Sequence, residues 1–193
     1  MRRVPRWLVV GLGNPEAEYG GTRHNVGADA VRAIATGAGG AWSRNKRVRA
    51  DVVEVRGDAA RLILLLPATY MNRSGEPVQS ASAWYNVPAE RVIVCHDDLD
   101  VALGSLRIKR GGGHAGHNGL RDIDRALGTA DYLRVRIGIG RPPEHVNGRD
   151  YVLQRFTADQ RDAVDPAIGS VADVVSSLID AGLESTQNRF HAR

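Results

Sequence analysis

The stretch WLVVGLGNPEAEYGGTRHNVG, Trp7 to Gly27, decides the fold class. It opens on an apolar run, turns through Gly11-Leu12-Gly13 and passes into residues at helical spacing, the order strand, glycine turn, helix that begins many α/β domains. Dinucleotide-binding domains begin the same way. Their fingerprint needs a third glycine three residues after the second, because there the helix packs on the strand beside the pyrophosphate. Glu16 stands at that place, and its carboxylate would repel a diphosphate. Asn14 and Pro15 imply a turn that holds a side chain rather than a bare backbone cradle. A dinucleotide enzyme is therefore disfavoured, and no acid in a believable place would hold its ribose.

Outward from this stretch, RLILLL, RVIVCHD and LRVRIGIG read as further buried strands, short and rich in branched apolar residues, while VRADVVEV alternates like a half-buried one. Between them HNVGADAVRAIA, SGEPVQSASAWYNV and HNGLRDIDRALG have helical periodicity, with Asn25, Ser74 and Asn118 placed as N-caps. The expected fold is α/β, a twisted mixed, mostly parallel sheet in one domain over residues 1–193. TADQRDAVDPAIGSVADVVSSLIDAG reads as one long amphipathic helix covering the sheet, kinked or split near its start by Pro166.

A chain of 193 residues can bury one continuous core. There is no charged leader before an apolar run and no uninterrupted apolar stretch of spanning length, so a soluble cytoplasmic protein is expected, with no membrane partner. The single cysteine, Cys95, lies in an apolar run and reads as a buried, unreactive thiol. A net charge of +4 permits a nucleic-acid partner without requiring one. Lys46 and Lys109 are the only lysines, a skew that base composition explains better than function.

The unusual polar residues fall where strands end. Asn14 follows the first strand, His24 and Asn25 open the first helix, Met71 and Asn72 follow RLILLL, Asp97 and Asp98 end RVIVCHD, and GGGHAGHNG leads into a helix. In α/β sheets this rim is where sites form. A histidine beside a carboxylate is a base held in one tautomer, and His24 with Asp97 is the candidate pair. No serine or cysteine has a nucleophile setting, which leaves water. Asn14, Asn72 and Asn118 offer neutral amides to a polar substrate and a developing oxyanion. Each also has a plainer role as turn former or helix cap. By strand alternation His96 faces away from Asp97 and is structural. The glycine run reads as a flexible turn ahead of the alternative, an anion-binding nest.

Taken in order, GLGNPxxxYxxTRHNxG, TYMNxSG, HDDLD and GGGHxGHNGL resemble the bacterial-type peptidyl-tRNA hydrolase family, and the likeness runs from VVGLGNP through LRVRIGIGRP to YVLQRF. The resemblance implies hydrolysis of the ester between a peptide and the 3′ ribose of tRNA, with no metal and no cofactor, by a monomer built on a mixed sheet surrounded by helices. It assigns His24 as the base and Asp97 as its partner. Asn14, Met71, Asn72 and Asn118 would contact substrate and position water. Tyr19 and His117 would lie at the periphery, and Lys109 with Arg136 would hold the 5′-phosphate of the tRNA partner. Glu16, where glycine is common, and Leu66, where lysine is common, depart from the pattern.

Other functions compete with this one. A relative that binds RNA without hydrolysis is disfavoured by intact His24, Asp97 and Asn118. A metal hydrolase could draw on HDDLD and on His114 with His117, but a histidine pair on a glycine-rich loop lacks the rigid helix face of zinc motifs.

Overall fold

Strand β1, Arg6–Gly11, is buried from Leu8 onward and so has a covered face on each side. The computed structural model describes residues 4–57 and 59–191, and the outermost residues of the expected 1–193 domain lie outside them. Around β1 the chain builds one seven-stranded sheet in the order β2-β3-β4-β1-β5-β7-β6. The strands are β2 Ser43–Asn45, β3 Ala50–Arg56, β4 Arg61–Pro67, β5 Val92–Asp98, β6 Leu106–Arg110 and β7 Leu133–Gly138. The central pairs β1–β4, β1–β5 and β5–β7 are parallel, and the outer pairs β2–β3, β3–β4 and β6–β7 are antiparallel. This is the expected single-domain α/β fold, with the antiparallel pairs confined to the outer strands.

The described residues form six α-helices: α1 Glu16–Tyr19, α2 Val26–Gly37, α3 Gly75–Tyr85, α4 Asn118–Leu127, α5 Gly148–Val152 and α6 Ala158–His191. Strand alternation divides the core into two layers. Val9, Leu64 and Cys95 meet α2 and α6 on one face, and Leu8, Val10, Ile63 and Val94 meet α3 and α4 on the other. The glycines of the opening stretch serve this packing. A Cβ on Gly27 would run into the Cys95 carbonyl, and one on Gly11 would lie 2.7 Å from the Gly27 carbonyl oxygen. Helix α2 thus rests directly on β1 and β5, the close approach that glycine allows.

The long helix differs from expectation. Its backbone stays helical through Pro166 and leaves the helical region at Gly182, with φ 81° and ψ 178°. A positive φ suits glycine, so the break falls where it costs least. By length and composition α6 could pass for a membrane span. Its Val164, Ile168, Val171, Val174, Val175 and Leu178 are instead buried in the layer beside α2, as in the core helix of a globular domain.

Between β4 and β5 the chain crosses β1, so connections diverge to either side of the β1 end. Such switch points leave a crevice outside the carboxyl ends of the strands.

Candidate active site

At that crevice lies a cavity of about 670 Å³. His24, Asp97, His117, Asn118, Lys109 and Arg136 all line it, delivered by separate segments of the chain. The other predicted residues, Asn14, Tyr19, Met71 and Asn72, are not among its lining. Asn14 accepts the Met71 backbone N–H on Oδ1 at 2.8 Å, and Met71 is buried, with its sulfur next to Gly119 at the start of α4. Tyr19 packs edge-on against Tyr70, 6.4 Å between centroids, and Asn72 is exposed.

At the centre Asp97 is 3% exposed. Its Oδ1 and Oδ2 lie 2.9 and 3.0 Å from His24 Nδ1, and Oδ1 is also 2.8 Å from His117 Nε2. Burial alone would raise the Asp97 pKa. The two imidazoles beside it outweigh burial and hold the carboxyl well below its ordinary range. It is therefore ionised and accepts hydrogen bonds only, which places a proton on His24 Nδ1 and the lone pair of neutral His24 on Nε2. Burial likewise acts to lower the His24 pKa, but the Asp97 charge and hydrogen bond prevail and the net shift is upward.

His117 is fixed from its other side. Its Nδ1 accepts the backbone N–H groups of Gly119 and Leu120, at 3.1 and 3.3 Å, and so caps helix α4. The proton must then sit on Nε2, which donates to Asp97. The residue expected at the periphery touches the central carboxylate.

Several sequence-based assignments need correction. The α4 cap is His117, and Asn118 is the first helical residue, exposed and facing the cavity. Asn25 makes no capping bond. Its amide grips the Asn14 backbone, accepting from N–H at 2.9 Å and donating to C=O at 3.0 Å. Ser74 Oγ donates to the Met71 carbonyl at 2.7 Å and does not cap α3. Both amide and hydroxyl found closer backbone partners in the adjoining turn. His96 also belongs to the site. It does sit on the face of β5 away from Asp97, but the loop before α4 covers that face, so its ring meets His117 edge-on at 5.2 Å and lines the cavity. Its Nδ1 donates to the Asp97 carbonyl at 2.8 Å, its Nε2 has no partner among the described residues, and burial and then His117 lower its pKa to about 3.

The far side of the cavity is basic. Burial, then the charges of Arg134 and Arg136, lower the Lys109 pKa, as expected where cations gather around room for an anion. Arg136 Nε donates to Asp98 at 2.8 Å. Arg134, unsuspected from sequence, is fully buried and donates to the carbonyls of Gly113 and Gly112 at 2.8 and 2.9 Å, shaping the glycine-rich loop. Only its place in an apolar strand pattern hinted at it.

His24, Asp97 and His117 bring three metal-type donors within 4.8 Å. They fit a hydrogen-bonded relay better than a cation, because the His117 lone pair is committed to the α4 cap and Nε2 carries a proton. The HDDLD carboxylates Asp98 and Asp100 are paired with Arg136 and Arg141, and His114 Nδ1 accepts from Gly116 within its own loop.

Fold and site together define an α/β domain whose cavity gathers imidazole, carboxylate and amide side chains. The peptidyl-tRNA hydrolase family model matches residues 8–193. The peptidyl-tRNA hydrolase of Frankia alni is 53% identical over 186 residues, 96% of this chain and 94% of its own, and that of Nocardia farcinica is 47% identical over 184 residues, 95% of each. The crystal structure of the Acinetobacter baumannii peptidyl-tRNA hydrolase superposes with a TM-score of 0.91 at 35% identity, covering 100% of this chain and 97% of that one. The chain belongs to the peptidyl-tRNA hydrolase family.

Proposed function

We propose that this enzyme cleaves the ester joining a peptide to the 3′ oxygen of tRNA, with water activated by His24 and Asp97. The observation that carries the mechanism is the pair of hydrogen bonds from Asp97 to His24 Nδ1, which leave Nε2 free to take a proton. A water molecule attacks the ester carbon as its proton passes to Nε2. The C–O bond to the ribose then breaks, and the imidazolium returns that proton to the 3′ oxygen, releasing free tRNA and the peptide acid. Asp97 remains ionised throughout and stabilises the imidazolium. The amide of Asn118 at the cavity suits the oxyanion, and Asn14, whose Oδ1 is engaged by the Met71 N–H, offers its NH2 to the peptide group, with Met71, Asn72 and Tyr19 as further substrate contacts. Lys109 and Arg136 supply the phosphate-binding end. The enzyme acts as a monomer in the cytoplasm.

The test is tRNA release from N-acetyl-aminoacyl-tRNA and from free aminoacyl-tRNA, with and without chelator. Turnover of the blocked substrate that is indifferent to chelator supports this reading, and chelator-sensitive turnover would return the metal hydrolase to first place.

A further inference from the structure

Arg23 directly precedes His24 and is 4% exposed. Burying a guanidinium is costly unless charge and hydrogen bonds are satisfied, yet its recorded partners are neutral. One terminal nitrogen donates to the Tyr151 carbonyl at 3.2 Å and the other to Gln160 Oε1 at 2.7 Å, while Nε has no partner among the described residues. The guanidinium carbon lies 4.0 Å from the Tyr151 ring centroid and 5.5 Å from that of Phe156. The Arg23 backbone N–H donates to the Gln154 carbonyl at 3.0 Å, and the neighbouring Thr22 bridges Arg155. Every one of these contacts goes to the chain between Tyr151 and Gln160.

That segment begins in the wall of the catalytic cavity. Asn147, Gly148, Arg149 and Val152 line the cavity with His24 and Asp97. Helix α5 has five residues, and Tyr151 is the only one buried. A helix this short has little stability of its own, so its place depends on what holds Tyr151. Those anchors are Arg23 and the bond from the Tyr151 hydroxyl to the Ile139 carbonyl at 3.0 Å.

We propose that Arg23 is a positioning residue that fixes the α5 wall relative to His24 and thereby sets affinity for the part of the substrate that lies along that wall. His24 is held independently by Asp97, so Arg23 governs binding more than the chemical step. The inference rests on the hydrolase reading above. Arginine is required because its planar fork reaches a carbonyl and an amide oxygen at once while stacking on a ring, which neither lysine nor methionine can do.

The test is steady-state kinetics on N-acetyl-aminoacyl-tRNA with Arg23→Met, Arg23→Lys and Gln160→Ala. Methionine fills much of the same space without a buried charge, and such replacements often fold well. Arg23→Met should raise KM about tenfold with kcat within about twofold of wild type, and lysine should not rescue it. Gln160→Ala, which touches nothing in the cavity, should raise KM about threefold with kcat unchanged. A structural role alone would lower kcat through loss of folded enzyme and leave KM where it was, and that result, or unchanged KM in both variants, overturns the proposal. Should Arg23→Met fail to fold, Gln160→Ala decides. Wild-type inactivity would count against the hydrolase reading only, and Kd for the same substrate in a His24→Ala background then tests the wall by itself.

Discussion

Replacing Asp97 by asparagine tests the chemistry at its most constrained point. Asp97 Oδ1 accepts from both His117 Nε2 and His24 Nδ1, and Oδ2 accepts from His24 alone. An asparagine has one acceptor oxygen. His117 cannot change tautomer without giving up the α4 cap, so the oxygen must remain on its side, and the amide NH2 is forced against His24 Nδ1 at the 3.0 Å contact. His24 then does best by accepting there and moving its proton to Nε2, where no lone pair is left for water. General-base assistance is worth about 10²–10⁴ in rate, and kcat should fall by about that factor, though less completely than in His24→Ala. The pH profile supplies the sign. The base must be neutral, so activity is lost as pH falls through the His24 pKa, which lies above its ordinary 6.5 in the wild type. Removing Asp97 leaves burial as the main influence, and burial lowers an imidazole pKa. The acidic limb of residual activity should therefore move downward, the effect of losing an adjacent opposite charge. The measurement is kcat/KM across about pH 5–8. A limb that stays put or moves upward would refute the assignment of His24 as the titrating base.

His24→Ala should abolish turnover while leaving tRNA affinity nearly intact in a filter-binding assay, and wild-type turnover in that variant would direct the search for a base elsewhere. His117→Asn keeps a capping side chain but removes one donor to Asp97, so α4 should persist by circular dichroism while kcat drops about tenfold, the worth of one hydrogen bond to a charge. Lys109→Ala should raise KM with little change in kcat and flatten the log–log salt dependence of binding by about 0.7–0.9. Substrates without a 5′-phosphate should gain little further penalty from Lys109→Ala, and independent, additive losses would place Lys109 on another part of the RNA. Gly27→Ala pushes a Cβ into the Cys95 carbonyl and should cost roughly 1–3 kcal/mol, visible as a lowered thermal midpoint. An unchanged midpoint would show that α2 can lift from the sheet freely.

The central strands were legible in the sequence because a strand covered on both faces must be apolar throughout, as in Leu62 to Leu66 or Val92 to Cys95. The outer strands β2 and β6 carry Arg44, Arg107 and Lys109, and an edge strand with a solvated side leaves no such run. The positions of His24, Asp97 and Asn118 at strand ends and helix starts followed from local pattern, so a candidate site could be drawn from sequence. Its wiring could not. That His117, besides capping α4, reaches Asp97, that His96 reaches the cavity from the far face of β5, and that Asn25 grips Asn14 depend on distances between separate segments of the chain. The roles of Arg23 and Arg134 are hidden for the same reason, since a buried arginine is identified by carbonyls and rings that the sequence places up to 137 residues away, as with Gln160. Periodicity and turn chemistry act over a few residues and so determined the elements and their order. Hydrogen-bond partners and tautomers depend on atoms meeting within about 3 Å, and only the folded chain decided those.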